Sequence, residues 1–152
     1  ERAENWPQYH YMTPRVSCAI EAIDAERLAV AGAFGIEVRS VKQHFSQSFK
    51  TEGDCLEDIA AELHKKRGGP PGPPQIDTRY LSEDVPYGLV FLLALGRVAN
   101  VEMPYTQAMI SMAELIVGED FLAGNDLIDH LGLASSSVER LLSRVRVSGV
   151  VI

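Results

Sequence analysis

The sequence predicts an all-α fold, a bundle of six to eight helices in a chain of 152 residues. Apolar residues recur every three to four positions along most of the chain, which is the spacing of one helix face. Convincing strand alternation does not occur before the last few residues. Residues 68–78 hold four of the eight prolines, which excludes a helix or central strand and predicts a surface loop between two helical layers.

The first helix is predicted to begin at Thr13-Pro14 and to end at Gly35. Thr is a good N-cap, proline suits the first helical turn, and glycine is common just beyond a helix end. Cys18 falls in the apolar stripe of this helix, so we expect a buried, reduced thiol. The stripe and its apolar neighbours are Val16, Ala19, Ile20, Ile23, Leu28, Val30, Ala31 and Phe34.

Two shorter helices are predicted next. One begins at Ser40 and runs through Phe45. The other begins at Asp54, where Glu57 three residues on is typical of a capping box. The predicted buried face of this second helix comprises Leu56, Ile59, Ala60 and Leu63.

After the proline-rich loop, Ser82 is predicted to cap an almost wholly apolar helix. Glu83 and Asp84 are favourable near the positive end of its dipole. Pro86 is then tolerated because it lies in the first turn. Residues 89–95 are apolar all round, which predicts a central, buried helix.

The remaining helices are predicted from residue 104 onwards. Pro104 starts a helix, and short helices follow around 120–122 and 125–131. Ser136, with Glu139 three residues on, is predicted to cap a last helix. The predicted core stripe of the first of these is Ala108, Met109, Met112, Leu115 and Ile116, and that of the last is Val138, Leu141, Leu142 and Val145.

Charge and composition exclude several functional classes. The net charge is -7 and the isoelectric point is near 5.0, so the surface repels phosphate backbones and nucleic acid is not an expected partner. The longest apolar run, 88–96, is about half of the ~20 residues that a membrane helix needs. No signal peptide is visible. Two cysteines without a CxxC pair suit a cytoplasmic protein, although a single disulfide stays open.

The motifs of several enzyme classes are absent from the sequence. It contains no GxGxxG or GxxxxGK[ST], so nothing predicts a cradle for a pyrophosphate. Patterns of the GxSxG and HExxH kind are also missing, and no metal site is predicted. The four histidines are expected at surface or boundary positions, and they are His10, His44, His64 and His130.

Two polar clusters interrupt the apolar pattern. The first, 79–84, precedes the most apolar helix, and a helix cap accounts for it structurally. The second, 24–27, lies inside the first helix, where a solvated or salt-bridged face is the structural interpretation.

Three stretches that include these clusters resemble a known family. They read, in order, TPRVSCAIEAIDAERLAVAGAFGI, DTRYLSEDVPYGLVFLLALGRVANVEMP and GEDFLAGNDLIDHLGL. The sequence from about Tyr9 to Leu133 resembles the C-terminal helical domain of the NAD/NADP octopine/nopaline (opine) dehydrogenases, and R-Y-x-x-E-D-V-P-x-G-L-V is the most specific part. The resemblance implies the helical fold of the 6-phosphogluconate dehydrogenase C-terminal-like domains.

The resemblance also implies an activity. Enzymes of this family join the amino group of an amino acid to the carbonyl of an α-keto acid, and the imine accepts a hydride from NADH or NADPH. An N-terminal Rossmann domain binds the cofactor, and the helical domain supplies much of the substrate site. Since the chain begins at Glu1, we expect 1–12 to be a linker from a missing Rossmann domain and 13–152 to be the helical substrate-binding domain.

Two site residues follow from the resemblance. Asp84 matches the acidic partner of a catalytic histidine that lies upstream of this chain, and it would orient that imidazole. Arg79 matches an arginine that reaches the phosphates of the dinucleotide. Glu83 and Tyr80 belong to the same motif without an assigned role, and Glu26 with Arg27 is expected to form an ion pair that orders helix packing.

Some positions depart from the family. Gly124-Asn125 stands where the family often has Gly-Arg, and the loop 68–74 has no counterpart. Two other functions stay open: the C-terminal domain of a hydroxyacid-type reductase, or a stand-alone module for dimerisation or protein binding. The apolar segment 88–95 is compatible with an interface of a homodimer. The helical domain alone is expected to be catalytically inactive.

Overall fold

A computed structural model of the chain describes residues 7–9, 12–69 and 71–145, and everything below refers to them. Helices account for the regular structure of this part, apart from one isolated antiparallel bridge between Pro7 and Pro71. The all-α prediction is confirmed. The predicted linker 1–12 lies mostly outside the described residues, as does His10.

The helices follow the chain in a simple order. The α-helices are α1 (Pro14–Ala33), α2 (Val41–Phe49), α3 (Leu56–Arg67), α4 (Val90–Ala99), α5 (Pro104–Val117), α6 (Phe121–Gly124), α7 (Asp126–Leu131) and α8 (Val138–Val145). A π-helix, Tyr80–Leu89, precedes α4 without a break, and a short 3-10 helix, Leu133–Ser135, follows α7.

The chain divides into two compact units. The first comprises Glu1–Ala25 and Val38–Thr78, and the second comprises Glu26–Glu37 and Arg79–Ile152. The boundary at Ala25 and Glu26 falls inside α1, which is one continuous helix. Thr13 caps the start of α1, because its hydroxyl accepts a hydrogen bond from the amide of Val16, and the chain leaves α1 through the left-handed Gly35.

In the first unit, α2 packs against α3. Ser40 and Gln43 form a capping box on α2, which continues four residues beyond the predicted end at Phe45. The buried face of α3 is the predicted one, Leu56, Ile59, Ala60 and Leu63. The predicted capping box at Asp54 is wrong, since Cys55 is the N-cap of α3 and makes no side-chain cap hydrogen bond.

Cys18 corrects a second prediction in the first unit. Its thiol is free and exposed, not buried. The apolar positions of α1 do not form one sharp stripe: the neighbouring Val16 is 45% exposed, whereas the polar Ser17 is 2% exposed. Apolar spacing therefore misplaced the first turns of this helix, whereas Val30 of the predicted face is buried.

The core of the second unit is built around α4. Val90, Leu93 and Ala94 lie inside it, which confirms the predicted central helix. The buried cluster comprises Val30, Val90, Leu93, Ala94, Met103, Ile110, Ala113, Phe121, Ile128 and Leu133.

Helix α5 turns a different face to this core than predicted. Its buried residues are Thr106, Ile110 and Ala113. The predicted core stripe is exposed instead, and Leu115 reaches 77% exposure. The prediction of the α5 core stripe is therefore wrong, although its start at Pro104 is confirmed.

The helices at the end of the described chain agree with prediction in position. Asp120 caps α6 and Asn125 caps α7 through their side chains. The cap of α8 lies one residue later than predicted, because the hydroxyl of Ser137, not Ser136, accepts from the amide of Arg140. None of the helices in the described ranges is long and apolar enough to cross a membrane.

Candidate functional site

The segment that carries both predicted site residues is helical from Arg79 and forms a π-helix over Tyr80–Leu89. Its last turn is closed by the amide of Val90, which donates to the carbonyl of Val85 five residues back. Ser82 consequently lies inside the helix, and the prediction that it caps the helix is wrong. Long π-helical segments are rare, and π-helical turns occur frequently at functional sites.

Pro86 lies in the interior of the π-helix and not in a first turn, which corrects the sequence prediction. A proline nitrogen cannot donate a hydrogen bond, and its ring would clash with the carbonyl four residues back in an α-helix. The wider hydrogen-bonding pattern of the π-helix fits this constraint. The ring is buried, so the proline is also a packing residue of the unit.

Asn125 ties α7 to the π-helix within the second unit. Its amide nitrogen donates to the carbonyl of Pro86 at 2.6 Å, and the residue is only 3% exposed. Its amide oxygen accepts from the backbone amides of Leu127 and Ile128 at the start of α7. A carboxamide side chain can both donate and accept in this way, whereas an arginine at this position has no acceptor.

Arg79 and Asp84 both lie on the exposed side of the helical segment. They are five residues apart, so the five-residue hydrogen-bonding step of a π-helix places them on one face. Nε of Arg79 lies 3.8 Å from Oε2 of Glu83, and their side chains are 72% and 63% exposed. Such an open contact is weak, so the guanidinium is available to another anion.

The buried side of the same segment holds it in place. Leu81, Val85 and Leu89 pack against the buried cluster of the second unit. The π-helix packs against both α4 and α5. A segment whose apolar side is packed in the core and whose exposed side is polar is suited to presenting side chains to a ligand.

Asp24 and Glu26 are buried rather than solvated, with exposures of 9% and 7%. The carboxylate of Asp24 accepts from the amide of Val41 at the start of α2. Glu26 accepts from the amides of Tyr105 and Thr106, each at 2.8 Å, and from the hydroxyl of Thr106 at 2.6 Å. Both acids therefore cap distant helices, and the ordering role predicted for Glu26 operates through helix α5.

The sequence contained one signal for this role of Glu26. Helix α5 begins at Pro104 without a side-chain cap from Met103. The first amides of a helix need acceptors. The missing local cap therefore indicates an acceptor from elsewhere in the chain, although it does not identify which one.

Other reactive groups in the described residues do not form a catalytic cluster. The thiol of Cys55 donates to the carboxylate of Asp58, which raises the pKa of the thiol to about 11 and leaves it protonated at neutral pH. No group of three or more metal-ligating side chains occurs among residues 7–9, 12–69 and 71–145.

A pocket of about 340 Å³ lies in the second unit, and Val90 at the end of the motif is one of its lining residues. Neither Arg79 nor Asp84 lines it. Its lining residues are Val90, Leu93, Arg97, Gln107, Ile110, Glu114, Glu119, Asp120 and Leu122. The carboxylate of Glu114 is already engaged by the amide of Phe121, and that of Asp120 by the amide of Ala123.

Comparisons with known proteins agree with the resemblance in the sequence. Residues 1–117 match the family described as NAD/NADP octopine/nopaline dehydrogenase, alpha-helical domain. An opine dehydrogenase of Arthrobacter sp. (strain 1C) is 32% identical over 148 residues, which are 95% of this chain and 41% of that protein. A D-nopaline dehydrogenase of Agrobacterium tumefaciens (strain T37) is 28% identical over 118 residues, which are 78% of this chain and 26% of that protein. The chain thus spans less than half the length of these relatives.

Proposed function

The chain belongs to the alpha-helical domain family of the NAD/NADP octopine/nopaline dehydrogenases, and we propose that it is the substrate-side domain of an opine dehydrogenase. The complete enzyme would reductively condense an amino acid with an α-keto acid, using NADH or NADPH bound mainly by a Rossmann domain outside this chain. The observation that carries the proposal is the family match over 1–117, which includes the exposed face with Arg79 and Asp84.

The available residues fit a dinucleotide contact of limited extent. The side chain of Arg79 is 72% exposed, and its contact with Glu83 is loose enough for a phosphate oxygen to replace it. A guanidinium matches phosphate oxygens with paired N–H donors. NADH or NADPH, when bound, supplies the hydride of the reaction. Arg79 contributes a phosphate contact that couples cofactor binding to closure of the two domains.

Asp84 is proposed as the acidic partner of a histidine outside this chain. An ionised carboxylate that accepts the N–H of an imidazole fixes its tautomer and stabilises its protonated form. The imidazole so held manages the proton at the substrate carbonyl. Asp84 is exposed here, which leaves its carboxylate accessible to a group from another domain.

The proposal is tested by turnover in the full-length enzyme, with the consumption of NADH followed by absorbance. Asp84→Asn should lower kcat by about a hundredfold or more and leave the helical content unchanged. The matched control is Asp129→Asn, the same change at an exposed acid of α7. Turnover of the Asp84 variant equal to that of the control would remove Asp84 from the mechanism.

Arg79→Ala tests the cofactor contact separately. We expect it to raise the KM for NADH about tenfold or more, since a charged hydrogen bond contributes about 1.5–3 kcal/mol. Arg140→Ala, at an exposed arginine of α8, is the control. An unchanged KM for NADH in the Arg79 variant contradicts the assignment.

Substrate dependence separates an opine dehydrogenase from a hydroxyacid-type reductase. The first needs both an amino acid and a keto acid for NADH oxidation, whereas the second reduces the keto acid alone. We expect the enzyme to work in the cytoplasm, since the free thiols Cys18 and Cys55 suit a reducing compartment.

A further inference from the structure

Asn125 binds a carbonyl that the change from π-helix to α-helix leaves without a backbone donor. The amide of Val90 donates to Val85, five residues back, and the α-helix α4 begins at the same residue. When the hydrogen-bonding step shortens from five residues to four, one carbonyl is passed over, and the carbonyl after that of Val85 belongs to Pro86. It accepts instead from the side-chain amide of Asn125 at 2.6 Å, in a buried contact.

This contact favours the π-helix over a continuous α-helix. In an α-helix the amide of Val90 would bond to the carbonyl of Pro86 itself, four residues back. The donor of Asn125 would then face a carbonyl that is already engaged. A buried acceptor without a donor is costly, so the π-helical form depends on a side chain that supplies one.

The helix type decides whether Arg79 and Asp84 lie on the same face. Five residues separate them, which is the hydrogen-bonding step of a π-helix, and both are exposed on one face. An α-helix turns about 100° per residue and would place the two positions about 140° apart. A change from π-helix to α-helix would therefore separate the two side chains that the proposed function assigns to one site.

Asn125 is itself held firmly. The residue is 3% exposed, and its side-chain oxygen accepts from the amides of Leu127 and Ile128 at the start of α7. Because the oxygen is fixed, the amide nitrogen at the other side of the carboxamide has one direction in which to donate. That direction leads to the carbonyl of Pro86.

We propose that Asn125 is a positioning residue of the dehydrogenase reaction: by binding the carbonyl of Pro86 it keeps the segment π-helical, and so keeps Asp84 and Arg79 on one face. It is buried and acts through these two residues, so it is not a catalytic residue. Its catalytic consequence rests on the proposed function, whereas its effect on the helix type can be measured without catalysis.

Nickel binding by introduced histidine pairs tests the helix type. Two histidines on one helix face bind a metal ion together. Arg79→His with Asp84→His should form such a pair in the π-helix. Adding Asn125→Asp, which keeps the cap of α7 and loses the donor, should weaken the binding of Ni²⁺ about tenfold or more, because one of two linked ligands moves away.

The control pair is Arg79→His with Glu83→His, since residues four apart are neighbours in an α-helix as well. Its affinity for Ni²⁺ should change by less than about threefold when Asn125→Asp is added. Equal effects on the two pairs overturn the proposal. Asn125→Ser, which also caps a helix, takes the place of Asn125→Asp if the charged variant does not fold.

Turnover of the full-length enzyme tests the catalytic consequence. Asn125→Asp should lower kcat about tenfold or more, because a displacement of about 1 Å can cost about a hundredfold. In an Asp84→Asn background the same change should lower kcat by less than about twofold, since the group through which it acts is already lost. The control for lost stability is Ser40→Ala, which removes the side-chain cap of α2 and should leave kcat unchanged.

The outcomes separate this inference from the proposed function. If Asp84→Asn turns over like the wild type, the proposed function fails and the positioning role fails with it, even where nickel binding confirms the helix type. If Asp84→Asn lowers kcat while Asn125→Asp does not, only the positioning role is overturned. The same holds if the two losses multiply in the double variant, because independent losses show that Asn125 does not act through Asp84.

Discussion

Replacing Glu26 by alanine is the sharpest test of how the second unit is held together. The carboxylate is 7% exposed and accepts three hydrogen bonds from the first turn of α5. Glu26→Ala leaves two backbone amides and the hydroxyl of Thr106 without this acceptor in a site that water reaches poorly. Hydrogen bonds to charged groups contribute about 1.5–3 kcal/mol each, and their effects at one site overlap.

We therefore expect Glu26→Ala to lower the free energy of unfolding by about 3–4 kcal/mol. For a chain of this length the loss corresponds to roughly 10 °C in Tm. Glu26→Gln keeps one acceptor oxygen and should lose about half as much. Urea unfolding followed by circular dichroism measures the loss. The control is Glu21→Ala, an exposed acid on the same helix, which should change stability by less than about 0.5 kcal/mol.

Hydrogen exchange locates the effect of the Glu26 variant. The amides of Tyr105 and Thr106 should exchange faster in Glu26→Ala, while those of α3 in the other unit keep their rates. A double-mutant cycle with Thr106→Val should give a coupling energy of about 1 kcal/mol or more. If Glu26→Ala stays within 1 kcal/mol of Glu21→Ala, the idea that this carboxylate caps α5 energetically is refuted.

Three further predictions concern single sites. Asn125→Ala should lower the free energy of unfolding by about 2 kcal/mol, because it removes the cap of α7 and the tether to the proline carbonyl; Asn125→Asp, which keeps the cap, should lose about half of that, and equal losses would contradict the tether. Iodoacetamide at neutral pH should modify Cys18 and spare Cys55, whose thiol pKa is about 11, and mass spectrometry reads out both sites; equal rates would contradict the hydrogen bond to the neighbouring aspartate. A hydrogen bond from the Lys66 side chain lowers the pKa of Glu62 below its ordinary 4.5. The ionised acid therefore stabilises the folded chain at pH values above the pKa that Glu62 has in the unfolded chain. This stabilisation is lost as the pH falls through the lower pKa of the folded chain. Glu62→Gln should flatten the acid limb of a plot of stability against pH, and an unchanged limb would show that the pair does not contribute.

Periodicity predicted α3 well and misassigned α5, and the residues explain the difference. On α3 the apolar positions lie on one side of the helix, so the spacing of Leu56, Ile59 and Leu63 identifies a single face that can be buried. On α5 nearly every position is uncharged, and spacing cannot say which stripe is inside. The buried face includes Thr106, which is 0% exposed. Its hydroxyl donates a hydrogen bond to Glu26. That partner lies 80 residues earlier, beyond any local pattern.

The candidate site shows the same limit. The motif predicted where Arg79 and Asp84 lie in the sequence, and their exposure agrees with an outward-facing role. The local signals at Ser82 and Pro86 indicated the start of an α-helix, whereas the chain forms a π-helix through both residues. The proline carbonyl also depends on Asn125, 39 residues away. Capping rules use only residues close in sequence, so they cannot predict such a contact. The roles of Arg79 and Asp84 stay predictions.

The boundary between the two units lies inside α1, and it restricts where recombination with a relative would give a stable chimera. A recombination point placed at a helix end, such as Gly35, would separate Glu26 from the α5 helix that it caps. A crossover between Ala25 and Glu26 keeps the acid with α5 but joins two halves of one helix from different parents. Functional chimeras should therefore inherit residues 26–37 together with the sequence after 79. In a functional chimera, residues 26 and 106 should come from the same parent sequence.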